Sequence, residues 1–231
     1  FLSFKPRARV YFFSLFPLPR NYNGFFLCED KIFFQEHGHT RQVGNLSGSL
    51  ERSPENLLRS ILVARLHGQS WKNIFTRARN LPSITFRQER VLHNKNWTVI
   101  NDSAATSPEA TLMALQRFSK QQDLVLITGG TDKNLDFRKL SRIITRAVPR
   151  ERLFLLKGSA TKKLIAELCK NKYSRGKKLI IFNSLQEILR VVKKLKKGLV
   201  LFSPASASFE KFRNEFDRGE KFNRIARVSL K

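Results

Sequence analysis

Three short segments of the 231-residue chain hold residue types that could grip an anion. Ile100-Asn101-Asp102-Ser103-Ala104-Ala105-Thr106 crowds small polar groups directly ahead of a predicted helix. The first amides of a helix lack partners inside it and attract negative charge. Asp102, Ser103 and Thr106 would serve equally well as caps for that helix, so this segment alone carries no assignment. Thr128-Gly129-Gly130-Thr131-Asp132-Lys133-Asn134-Leu135-Asp136 pairs two glycines with the cation of Lys133. Glycines let backbone amides approach a ligand, but they also simply end strands. The segment matches neither a Walker A loop nor a dinucleotide fingerprint. Phe202-Ser203-Pro204-Ala205-Ser206-Ala207-Ser208-Phe209 is a run of small residues whose amides and hydroxyls could hold a carboxylate. A serine-rich capping loop has the same composition.

The elements around these segments alternate regularly. Trp97–Ile100, Leu124–Thr128, Leu153–Leu156, Leu179–Phe182 and Leu199–Phe202 read as strands, nearly all of them continuous apolar runs. Ser107-Pro108-Glu109 opens a predicted helix over 107–118, with serine as cap and proline at the first position. Apolar spacing predicts further helices over 136–148, 161–170, 185–194 and 208–216. Apolar strands each followed by an amphipathic helix specify an α/β fold, a mostly parallel sheet with helices on both faces. Such sheets take ligands at the carboxyl ends of their strands, where all three segments fall.

The first ninety residues differ. Gly24–Cys28 and Lys31–Phe34 predict a hairpin around Glu29-Asp30, and 54–67 predicts one amphipathic helix. Val10 to Phe16 reads as a buried strand, being too short for a membrane span and followed by no cleavage site. The polar stretch Arg90–Asn96 marks the expected boundary, giving domains 1–92 and 93–231.

A net charge of +26 suits adhesion to polyanions. Its densest groups, Lys170–Lys178 and Lys193–Lys197, follow helical stretches and fit solvated helix ends. A basic nucleic-acid-binding module is the alternative from another class; it needs exposed stacking aromatics, whereas most of the 20 phenylalanines sit in apolar runs. Cys28 and Cys169 fit no metal or redox spacing and read as reduced thiols of a cytoplasmic protein. His37 and His39 flank a turn at Gly38 and lack metal-ligand partners. The chain starts at Phe1 and its one methionine is Met113, so a fragment is expected.

Taken in order, the three segments resemble the Mur ligase family, specifically the ligases that add D-glutamate to UDP-N-acetylmuramoyl-L-alanine in peptidoglycan synthesis. Asn101-Asp102-Ser103 with Ala105-Thr106, Gly129-Gly130 with Asp132-Lys133 and Asp136-Phe137, and Ser203-Pro204-Ala205-Ser206-Ala207-Ser208-Phe209 carry the likeness. Phe212-Arg213-Asn214-Glu215-Phe216-Asp217-Arg218-Gly219 extends it. The resemblance implies a Rossmann-like C-terminal domain that recognises the amino acid, preceded by part of the central ATPase domain. Carried over, Thr106 and Lys133 would pair with the D-glutamate carboxylates, with Ser208 and the Phe209 amide completing the pocket. Asn56, Arg87 and Asp102 would contact ATP, and no catalytic or metal-binding residue is expected in this chain. The family's phosphate loop and magnesium ligands have no counterpart in the sequence, so ATP and Mg2+ would depend mostly on an N-terminal part of the same enzyme. The enzyme is expected to be a monomer. Ala104, Phe86 and Arg52-Ser53 depart from the family's lysine, histidine and His-Asn pair. Those departures keep open a degenerate, non-catalytic remnant.

Overall fold

The computed structural model describes residues 7–45, 54–80, 82, 84–121, 123–173 and 179–231. Two compact units divide between Ser83 and Ile84.

The first unit is a four-stranded sheet in the order β1-β2-β3-β4: β1 (Phe12–Ser14), β2 (Gly24–Cys28), β3 (Lys31–Glu36) and β4 (His39–Asn45). The predicted hairpin is β2 and β3, antiparallel. The turn at His37-Gly38 then returns the chain as β4, which the sequence reading did not include. Helices α1 (Pro54–Leu66) and α2 (Trp71–Arg79) complete the unit. Leu58 and Ile61 of α1 and Ile74 and Phe75 of α2 share one apolar cluster with Phe25 and Phe34 of the sheet. The expected buried strand over 10–16 is instead a three-residue edge strand, with Phe13 37% and Phe16 75% exposed. Pro17 lies three residues beyond Ser14 and has no amide hydrogen to carry a ladder further. Arg52 and Ser53 lie outside the described residues.

The second unit contains β5 (Glu89–His93), β6 (Trp97–Asn101), α3 (Pro108–Phe118), β7 (Leu124–Thr128), α4 (Arg138–Ala147), β8 (Leu153–Leu156) and α5 (Ser159–Lys170). It continues through β9 (Ile181–Phe182), α6 (Leu185–Val192), β10 (Gly198–Phe202) and α7 (Glu215–Ser229). The sheet runs β5-β6-β10-β7-β8-β9, parallel except for β5 against β6. Side chains alternate between its faces as a strand's period of two requires. Leu124 and Leu126 join one core, with residues from α3, α4 and α5; Val125 and Ile127 join the other, with Ile188 and Phe222 from α6 and α7. This α/β sheet, covered on both faces, is the expected one.

Three local expectations change. The polar stretch at 90–96 is not a linker: most of it is β5, hydrogen-bonded to β6, so residues 84–92 pack with the second unit. The strand expected over 179–182 shortens to Ile181–Phe182. No helix forms over 208–214, and α7 begins at Glu215. One turn forms, with the Phe212 amide donating to Ser208 O (3.0 Å) and the Glu210 amide to Thr131 Oγ1 (2.9 Å), and the chain then leaves helical geometry. Asn214 then caps a new helix, its Oδ1 accepting from the Phe216 and Asp217 amides.

Candidate functional site

Strand order decides where the three polar segments lie. β10, last in sequence, inserts between β6 and β7, which come first. The loops that leave these three parallel strands therefore sit side by side along one rim of the sheet. Reversal of strand order opens such a crevice, and here it does so within one unit.

The loops are then tied in pairs. The loop after β6 reaches the loop after β7 through Lys133 Nζ, which donates to Thr106 Oγ1 at 3.5 Å. The β7 and β10 loops exchange backbone bonds, Thr131 N to Ala207 O (3.0 Å) and Ala207 N to Thr131 O (3.1 Å). Gly129 N also donates to Pro204 O at 2.9 Å. The β6 and β10 loops meet where Ser203 Oγ donates to Asp102 Oδ2 (2.7 Å). A second link between them runs through Arg218, which is fully buried.

Backbone geometry explains the glycines. Gly129 and Gly130 have φ of +110° and +150°. A Cβ on Gly130 would lie 2.6 Å from Ser206 Oγ and 2.7 Å from Ala207 O. The bridge between loops therefore requires glycine there. Gly130→Ala should cost stability on the order of 1–3 kcal/mol through overpacking and strain. Chemical denaturation checks this, and an unchanged midpoint would mean that the two loops do not close on each other.

Of the four residues expected to bind D-glutamate, Lys133 and Thr106 are brought together on the rim, the first exposed and the second half-buried. Ser208 is 3% exposed, and its Oγ is buried without a hydrogen-bond partner among the described residues. A buried hydroxyl left unpaired is unusual, because folding removes its water and gives nothing back. Ser208 lines a small crevice with Gly130, Lys157, Lys211 and Arg218. The Phe209 ring is 65% exposed; its amide donates to no group among the described residues. Glu210 also lines the crevice, and its carboxylate accepts from the Ser159 amide and hydroxyl at the start of α5. Sequence reasoning missed this contact, and the segment holds no periodicity that would have revealed it.

The residues expected to meet ATP belong to different units. Asn56 lies in the first unit, exposed on α1, where its Oδ1 accepts from Arg59 Nη1 at 3.4 Å. Arg87 and Asp102 belong to the second unit. Arg87 is exposed and its charge acts on Asp102. Asp102 is 5% exposed; Oδ1 accepts from the Gln88 amide (3.2 Å) and Oδ2 from Ser203. Burial raises its pKa to about 6, against the opposing effect of those bonds and of Arg87. Each carboxylate oxygen keeps a lone pair for a further donor, and the Arg87 guanidinium is exposed. Phe86, where the family carries histidine, is buried with its ring against Gly219 and 6.1 Å from the Phe216 ring. It serves packing. Among the described residues no three His, Cys, Asp or Glu side chains cluster to hold a metal ion.

No family model matches the chain. Over 97% of its length the chain is 34% identical to UDP-N-acetylmuramoylalanine--D-glutamate ligase of Borreliella afzelii (strain PKo). That match takes in 48% of the relative. MurF from Acinetobacter baumannii superposes with a TM-score of 0.60 at 16% identity, over 90% of this chain and 45% of that one. MurF ligase from Thermotoga maritima in complex with ADP gives a TM-score of 0.52 at 14% identity, over 89% and 45%. Sequence and fold together make this chain a member of the Mur ligase family, whose enzymes are ligases of peptidoglycan synthesis. Within that family its similarity in sequence is to the D-glutamate ligases, and it spans about half the length of the curated relatives it matches.

Proposed function

We propose that this chain is the amino-acid-binding part of an ATP-dependent ligase that joins D-glutamate to UDP-N-acetylmuramoyl-L-alanine. The meeting of three strand-end loops on one rim supports this reading most. Lys133 and Thr106 stand on that rim, and the unpartnered Ser208 hydroxyl lies in a crevice between two of the loops. A dicarboxylic amino acid needs a cation and several neutral donors for its two anionic groups, and its amine must stay unprotonated and free to attack. This rim offers a cation and neutral donors of that kind. The D-glutamate ligases among the relatives point to the same substrate.

In the proposed reaction the terminal phosphoryl group of ATP passes to the carboxylate of UDP-N-acetylmuramoyl-L-alanine. The amine of D-glutamate attacks the resulting acyl phosphate, and phosphate leaves as the amide forms. This chain holds the amine in line for that attack. Good positioning contributes roughly 7–11 kcal/mol in the most favourable cases. Arg87 and Asp102 provide one wall of the nucleotide site, and Asn56 belongs to the first unit, which we read as part of the central ATPase domain. ADP bound to the Thermotoga maritima relative supports nucleotide use. Magnesium would neutralise phosphate charge from ligands outside these residues. We place the enzyme in the cytoplasm as a monomer; among the described residues no helix is long and apolar enough to cross a membrane.

The sequence has no Gly-x-x-Gly-x-x-Gly-Lys-Thr-like loop to cradle the ATP phosphates. The purified chain is therefore expected to bind D-glutamate without turning over. Phosphate release that depends on D-glutamate, measured with the chain alone, would overturn this division of labour.

A further inference from the structure

Arg218 stands at 0% exposure in the first turns of α7, the largest fully buried side chain among the described residues. Arginine is rarely buried without a carboxylate, because removing a charge from water is costly. Here no carboxylate bonds it among the described residues; Glu215 acts on it only through space. Its partners are instead the backbone and hydroxyl of two loops. Nε donates to Ser103 Oγ (3.0 Å) and Nη2 to Ser103 O (2.8 Å), both in the loop after β6. Nη1 donates to Ser206 O and Ala207 O (3.0 Å each), both in the loop after β10. Ser103 Oγ in turn donates to Glu215 O (2.7 Å), closing the network on α7.

This geometry has a specific consequence. Ser103 lies three residues before Thr106, and Ala207 immediately precedes Ser208. One rigid fork thus sets the position of a loop that carries one wall of the proposed amino-acid site and of a loop that carries another. A lysine has the same charge but no fork and cannot reach four acceptors in two directions. Burial lowers the pKa of Arg218 only to about 10, so it stays charged at neutral pH. With no carboxylate bonded to it, that charge also extends toward the crevice that Arg218 and Ser208 line together.

We propose that Arg218 is a positioning residue for D-glutamate: its guanidinium clamps the β6 and β10 loops at the spacing that a dicarboxylate bridges. This rests on the D-glutamate reading above. The test compares the 231-residue chain with R218K, R218M and S103A, reading three quantities. These are the unfolding midpoint, amide hydrogen exchange at Thr131 and Ala207, and the Kd for D-glutamate by calorimetry. R218K and S103A are expected to fold, to exchange faster at the Ala207 and Thr131 amides, and to bind D-glutamate at least tenfold and about threefold more weakly. R218M is expected to lose binding altogether. An R218K chain with wild-type affinity and unchanged exchange would overturn the proposal, whatever R218M does. If the wild-type chain binds no D-glutamate, the substrate reading fails. The exchange data then still decide the clamp, which is refuted by unchanged protection at Thr131 and Ala207 in R218K.

Discussion

Lys133→Ala should weaken D-glutamate binding about 30-fold, as a rise in Kd for this chain or in apparent KM for a ligase that contains it. Removing one partner of a close charge pair costs roughly 2–5 kcal/mol when the pair is buried, and the lower end corresponds to that factor. The lower end applies because Lys133 is exposed before ligand arrives, with only the Thr106 hydroxyl, at 3.5 Å, as its partner among the described residues. A single neutral acceptor leaves most of an ammonium's hydrogen-bonding capacity for an incoming carboxylate. Thr106→Val, which removes one neutral donor, should cost about tenfold or less. If the two substitutions had equal effects, the ammonium would not be pairing with an anion.

The second large effect concerns Asp102 and pH. Its pKa rises from 3.8 in the unfolded chain to about 6 in the fold, and burial is the leading cause. The sign follows from proton counts. Between these values the folded state holds a proton that the unfolded state has released, so stability falls as pH rises. The contribution is fully present below about pH 4 and gone above about pH 6. A shift near two units corresponds to about 3 kcal/mol, to order of magnitude. Asp132, Asp136 and Asp217 act in the opposite direction. Hydrogen bonds and cations lower their pKa values, so their stabilisation is lost as the medium is acidified. The difference between wild type and Asp102→Asn isolates the one residue. Asparagine keeps the shape and cannot ionise, so the variant should gain on wild type by that amount between pH 4 and pH 7. A constant difference across this range would show that folding does not raise the Asp102 pKa.

The second unit was legible because its strands are buried on both faces. Leu124-Val125-Leu126-Ile127 has no polar residue to suggest another element, and Ser107-Pro108-Glu109 announces a helix through capping chemistry alone. β5 was illegible for the opposite reason: Glu89-Arg90-Val91-Leu92-His93 is an edge strand whose polar residues look like a linker. The helix expected over 208–216 gives way to one that starts at Glu215, because Asn214 takes an extended backbone and caps it.

The site divides in the same way. Lys133 and Thr106 stood out by residue type and position after strands, and the fold joins them. Arg218 sat in full view within Asn214-Glu215-Phe216-Asp217-Arg218-Gly219, yet a charged residue on a helix reads as solvent-facing. Its burial depends on β10 entering between β6 and β7, a topological fact outside any single segment. The same insertion explains why three loops that are ambiguous one by one make a coherent rim together.

A titration of the isotopically labelled chain with D-glutamate, followed by amide resonances, tests this rim most directly. The predicted result is saturable shifts at Thr106, Lys133, Ser208 and Phe209 with one common Kd, much weaker with L-glutamate. Shifts confined to basic surface helices, equal for both enantiomers and abolished by modest salt, would contradict the account.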